Sequence, residues 1–137
     1  MQPKLSRSLI ASNTSKVTLL VVEDDATPRL LMEVMLKRDN FNVMMAADST
    51  EALDILRQQR VNGIIVGTLM SGISGMEFCR VLRARPDTVN LPILMLLSTS
   101  DAASIERSKA AGADDYLTKP VISRELTVKI RAMLRRD

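Results

Sequence analysis

Apolar residues fall along the chain in two alternating rhythms. Short unbroken runs, of the kind a strand covered on both faces shows, alternate with stretches whose apolar residues recur at helical spacing. The first run is Val17 to Val22, closed by Glu23-Asp24-Asp25. A helix is expected next. Pro28 suits its first position after Thr27, and Leu30, Leu31, Val34 and Met35 supply its apolar stripe up to about Asp39-Asn40. Phe41 to Ala46 read as the second strand, and Asp48 with Glu51 opens a helix whose inner face is Ala52, Leu53, Ile55 and Leu56. Gly63 to Val66 form the third strand, rich in β-branched residues. Ser74 and Glu77 then form a capping box that starts a helix near Gly75, with Phe78, Val81 and Leu82 inside and a stop before Pro86. Pro92 to Leu97 form a fourth strand, followed by a turn over 98–100 and a helix from about Asp101 to Ala111, ended by Gly112 in a left-handed cap. Asp114 to Leu117 form a short fifth strand. Lys119-Pro120 is a turn, and Ser123 opens a last helix with Leu126, Ile130, Met133 and Leu134 inside.

Five strands alternating with five helices imply an α/β fold: a parallel sheet with right-handed crossovers and helices on both faces. The domain is expected over 17–137, behind a tail at 1–16 that is rich in Ser, Asn and Thr. In an open α/β sheet, chemistry sits where a strand's carboxyl end meets its loop. At the end of the central third strand that position is Gly67, which carries no side chain.

Composition narrows the options. The chain has 137 residues, 46% of them apolar, enough for one domain with a real core. Its aromatics are Phe41, Phe78 and Tyr116, so no platform exists for stacking bases. Lys4, Arg7 and Lys16 lie in the first 16 residues without an acid. Taking them from the 19 basic residues leaves 16, matched by 16 acidic ones, so the +3 charge belongs to the tail and argues little for nucleic acid. Cys79 is the single cysteine, which excludes an internal disulfide and suits a reducing, cytoplasmic setting. The absence of histidine excludes a Ser-His triad and disfavours zinc. No apolar run approaches membrane-spanning length, and the amino terminus lacks a secretory signal.

Two features could carry chemistry. Glu23 and Asp24 close the first strand, where adjacent carboxylates can hold magnesium; they can equally complement a helix dipole. Lys119, before Pro120, can reach over the carboxyl edge of the sheet; it can equally be a solvated turn lysine.

Together these residues resemble the receiver domains of bacterial two-component response regulators, over about 17–137. Val21-Val22-Glu23-Asp24-Asp25 is similar to the acidic-pocket motif, Met70 to Gly75 to the loop after the phosphorylated aspartate, and Leu91 to Met95 to the fourth strand. Ala111 to Pro120 is very close to the closing motif. The resemblance implies a flavodoxin-like sheet of strand order 2-1-3-4-5 and a cis bond between Lys119 and Pro120. It also implies magnesium on Glu23 and Asp24, phosphoryl contact by Lys119, and a switch face including Tyr116 and Ser98. An aspartate ending the third strand would take a phosphoryl group from a histidine kinase.

The chain departs from that pattern. The acceptor position is Gly67, and no acid lies between Asp54 and Glu77. The hydroxyl position that ends the fourth strand is Leu97, with Ser98 a substitute only if the strand end shifts. Ser71 stands where the family usually has Pro. Glycine offers no nucleophile. The expectation is a pseudo-receiver: not an enzyme, without a resident cofactor, binding magnesium weakly at most, with Lys119 turned to Glu23 or Asp24. It would act through contacts with a histidine kinase, a fused effector domain or another receiver, and could form a homodimer; direct nucleic-acid or membrane binding is not expected. Two alternatives remain: a phosphorylation-competent receiver whose aspartate was replaced, and a small-ligand binder of receiver-like architecture.

Overall fold

A computed structural model describes residues 16–68, 70 and 72–135. Strands β1 (Thr18–Val22), β2 (Asn42–Ala46), β3 (Gly63–Gly67), β4 (Ile93–Leu97) and β5 (Asp115–Thr118) alternate with helices α1 (Ala26–Arg38), α2 (Ser49–Gln58), α3 (Gly75–Arg83), α4 (Ala102–Ala111) and α5 (Ser123–Leu134). The strands make one parallel sheet in the order β2-β1-β3-β4-β5. This is the expected 2-1-3-4-5 order. Residues 1–15 of the expected tail lie outside the described residues.

Strand parity builds the two halves of the core. Leu20, Val22, Ile64, Val66, Ile93, Met95 and Leu97 point to one face, where α2, α3 and α4 cover them with Ala52, Phe78, Cys79, Leu82 and Ala111. Leu19, Val21, Ile65, Leu94, Leu96 and Leu117 point to the other, covered by Met32 and Leu36 of α1 and by Leu126, Ile130 and Met133 of α5. Each fully buried aliphatic side chain contributes about 1.5–3 kcal/mol. This explains why the strands read as unbroken apolar runs rather than alternating ones.

The helix ends follow their local chemistry. Asp48 accepts from the Glu51 amide, and Ser74 with Glu77 closes a full capping box. Gly112 ends α4 with φ of 105°, in the left-handed region that favours glycine. The last helix starts at Ser123 without a side-chain cap.

Three expectations need correction. Helix α1 starts at Ala26, not at Pro28, because Asp25 caps it by accepting from the Thr27 amide. Pro28 then sits third, where its missing N–H is still one of the helix's unpaired donors. The apolar stripe of α1 is also rotated: Leu30, Leu31 and Val34 are 59%, 55% and 47% exposed, while Met32 and Leu36 are buried. Finally, Val81 is exposed on α3, and Cys79 takes the inward position.

Candidate functional site

The site forms at the carboxyl edge of the sheet, where β1 and β3 end side by side and β5 ends one strand further on, beyond β4. Parity carries it: Glu23 continues the inward direction of Leu19 and Val21, and Lys119 that of Leu117. Glu23 is 2% exposed. Its Oε1 accepts from Lys119 Nζ at 2.9 Å, and its Oε2 accepts from the Asp25 amide at 3.1 Å. Lys119 therefore turns to Glu23 rather than Asp24, which is exposed. The Lys119–Pro120 bond is cis.

Gly67 lies directly beneath this pair. A Cβ added at Gly67 would meet Glu23 Oε1 at 3.0 Å. The buried carboxylate thus occupies the space into which a side chain at the end of β3 would project. Beyond β3 the backbone closes tightly. Gly75 N donates to Thr68 O at 3.0 Å, and a Cβ on Gly75 would stand 2.0 Å from the Gly67 carbonyl oxygen. Only glycine at position 75 lets α3 begin against the end of the central strand.

Arg29 locks the β1–α1 connection. Its Nη1 donates to the carbonyl oxygens of Glu23 at 2.8 Å and Asp24 at 3.3 Å. Sequence reasoning missed it, because an arginine early in a helix has no local signature of such a role.

The fourth strand ends at Leu97, so the shifted end that would bring Ser98 into its place does not occur. Ser98 is exposed. Leu97 is buried with Met95, Phe78 and the half-buried Tyr116 on the α2–α4 side. It therefore does not line the Glu23 pocket. The β4 residue that lines the hollow beside Glu23 and Lys119 is Leu96, one position earlier and of opposite parity. That hollow, of about 240 Å³, runs between α1 and the β5–α5 connection. Tyr116 is held from α5: Lys129 Nζ lies 5.0 Å from its ring centre and donates to Asp115 Oδ1 at 3.0 Å.

For magnesium this donor set is poor. Both Glu23 oxygens are engaged, Gly67 offers no carboxylate, and among the described residues no group of three or more acidic, Cys or His side chains could hold a metal ion. The residues present do not fit a resident ion, which needs free carboxylate oxygens around its waters.

Residues 19–131 match the response regulator receiver domain, and the chain belongs to that family. It is 40% identical over 119 residues to the transcriptional regulatory protein AfsQ1 of Streptomyces coelicolor, covering 87% of this chain and 52% of that protein. It is 34% identical over 125 residues to the DNA-binding response regulator MtrA of Mycobacterium tuberculosis, covering 91% and 54%. The chain thus spans about half the length of these curated relatives. Among solved structures, a putative response regulator from Chloroflexus aurantiacus superimposes with a TM-score of 0.85 at 36% identity, covering 88% of this chain and 99% of that one. The receiver domain of sensor histidine kinase PA1611 from Pseudomonas aeruginosa, solved with magnesium coordinated in its active site cleft, gives 0.80 at 26%, covering 87% and 98%. Among the described residues no helix is long and apolar enough to cross a membrane.

Proposed function

We propose that this domain is a pseudo-receiver of a two-component pathway: a cytoplasmic signalling module that takes no phosphoryl group at the usual position and works through protein contacts. The observation that carries this reading is the Glu23 carboxylate, ion-paired to Lys119 and seated over the bare α-carbon of Gly67. A receiver needs a carboxylate there as nucleophile. Here the neighbouring acid fills the gap, and the lysine that would meet a phosphoryl oxygen neutralises that acid instead. Magnesium binds weakly at most, and the domain catalyses no reaction of its own.

The partner is a signalling protein: a histidine kinase, another receiver or an effector domain on the same polypeptide. Relatives named as DNA-binding or transcriptional regulators, about twice the length of this chain, favour the last. DNA contact would then belong to the effector and not to this domain, whose charge is balanced outside the tail.

The test is incubation of the protein with acetyl phosphate and magnesium, followed by intact mass measurement. No gain of mass is expected. Gain of one phosphoryl group, stable in acid and released by hydroxylamine as an acyl phosphate is, would overturn the reading.

A further inference from the structure

The rotated helix α1 presents Leu30, Leu31 and Val34 to solvent, an apolar face that the fold does not cover. Leu31 also forms one wall of the hollow beside Lys119, shared with Met35, Pro120 and Val121, so the apolar surface continues into a cavity. Lys37 follows Leu30 and Val34 along the same side of the helix by the i, i+4, i+7 rule. Lys16, where the described chain begins, lines the same surface hollow as Lys37. The described chain thus begins at the far end of the exposed stripe.

We propose that this stripe is the docking site of the chain's own amino-terminal segment, with Leu9 and Ile10 covering Leu30, Leu31 and Val34. Reach, hydrophobicity and charge each support this occupant. From Ile10 to Lys16 an extended chain spans up to about 20 Å, whereas Lys37 and Leu30 are separated by about 10 Å along the helix axis. Leu9-Ile10 is the segment's adjacent apolar pair. Continuing in the same direction, Arg7 and Lys4 approach the exposed carboxylates Asp24 and Asp25 at the start of α1. The segment holds no acid, so the basic residues meet opposite charge at the edge of the sheet where the metal donor set is poor. Bound in this way, the segment covers the apolar face of α1, and a partner that uses this face must displace it.

The test uses the full chain with Ser6→Cys carrying a nitroxide spin label. Cys79 stays unlabelled, because it is fully buried and burial pushes its thiol up to about 11. The expected result is paramagnetic loss of more than half the signal intensity at Leu30, Leu31 and Val34, with none at Val89, an exposed apolar residue elsewhere. Leu9→Ser with Ile10→Ser should reduce that loss several-fold, and raising salt from 0.05 to 0.5 M should weaken it. Three outcomes overturn the proposal. The first is no greater loss on α1 than at Val89. The second is loss that persists unchanged in the double serine variant. The third is loss seen only when label and isotope are on different molecules, which would make a second copy the occupant. None of these outcomes bears on phosphorylation, so the proposed function stands or falls separately.

Discussion

The carboxylate of Glu23 rests against the α-carbon of Gly67, so close that one added methyl group would meet Oε1 at 3.0 Å. Two residues far apart in sequence thereby share one volume. Gly67→Ala should lower stability by about 1 kcal/mol: the strand gains roughly 0.5–1 kcal/mol from losing glycine freedom, and overpacking takes back about 1–3 kcal/mol. In a Glu23→Ala background the collision is gone, and the same substitution should be neutral or stabilising. Urea denaturation of the four proteins measures the coupling. Strict additivity, within about 0.3 kcal/mol, would show that the two residues do not compete for space.

Lys119→Met should cost about 2 kcal/mol. Removing one partner of a fully buried ion pair costs roughly 3–5 kcal/mol. Lys119 is a third exposed, however, and Glu23 keeps the Asp25 amide. The loss reads out as a lower urea midpoint with unchanged slope. A variant as stable as wild type would mean that the pair is incidental to the fold.

The strands were legible because each is a run buried on both faces, and the parallel sheet followed from their alternation with helices, whereas the strand order came from the family resemblance. The face of α1 was not legible. Leu30-Leu31-Met32 and Val34-Met35-Leu36 give helical spacing to two overlapping stripes, and packing against the sheet buries the second, with Met32 and Leu36 inside. At the site, the sequence placed Gly67, with no side chain, at the end of the third strand, and it led to the expectation that Lys119 turns to an adjacent acid. It could not show that Glu23 rather than Asp24 turns inward, since that depends on where β1 stops. Nor could it place Leu97 opposite the hollow, because a one-residue difference in parity moves a side chain to the other face.

Arg83 illustrates a residue with no sequence signature. Placed in the last turn of α3, it reads as a cation complementing the helix dipole. In the fold its guanidinium donates to the carbonyls of Gly112, Val89 and Leu91 and pairs with Asp114, whose carboxylate also accepts from the Ile93 amide. It ties the end of α3, the start of β4 and the α4–β5 turn together. Arg83→Ala should cost about 2–4 kcal/mol, since it leaves partly buried acceptors without donors. Arg83→Lys should recover less than half of that, because an ammonium cannot span the same fork. Chemical denaturation checks both; full recovery by lysine would reduce the network to simple charge.

Asp101 gives α4 a pH dependence. The Ser104 amide first, and then the Thr99 hydroxyl, hold its carboxyl below the usual range. A group depressed on folding contributes stability in full above its unfolded value, about 4, and loses it as pH falls through the lower folded value. Wild type should therefore exceed Asp101→Ala in urea midpoint at pH 6, with the gap narrowing from about pH 4 downward. A gap constant with pH would mean that the cap works without its charge.

Placing a carboxylate at the end of β3 is the most direct experiment on the proposed pseudo-receiver. Gly67→Asp supplies a carboxylate oxygen able to attack the phosphorus of acetyl phosphate, forming an acyl phosphate and releasing acetate. The new side chain must displace Glu23, because its Cβ already meets Oε1. Displacement frees Glu23 from Lys119, gives magnesium two neighbouring carboxylates and leaves the lysine for a phosphoryl oxygen. Magnesium-dependent phosphorylation is therefore expected from Gly67→Asp with Leu97→Thr. The single Gly67→Asp variant should give a slower or shorter-lived product provided that a hydroxyl at position 97, which packs on the α2–α4 side, turns over the end of β4 to the phosphoryl group; equal products would show that it does not. The threonine has its own cost, about 2–3 kcal/mol, since Leu97 is 1% exposed in the core beside Tyr116. The double variant should consequently melt lower than wild type without magnesium and recover when the ion is added, as a ligand that binds only the folded state stabilises it. Wild type should show neither the added mass nor a comparable magnesium shift in Tm. A double variant that folds, shifts with magnesium and still takes no phosphoryl group would show that phosphorylation here needs more than these two side chains.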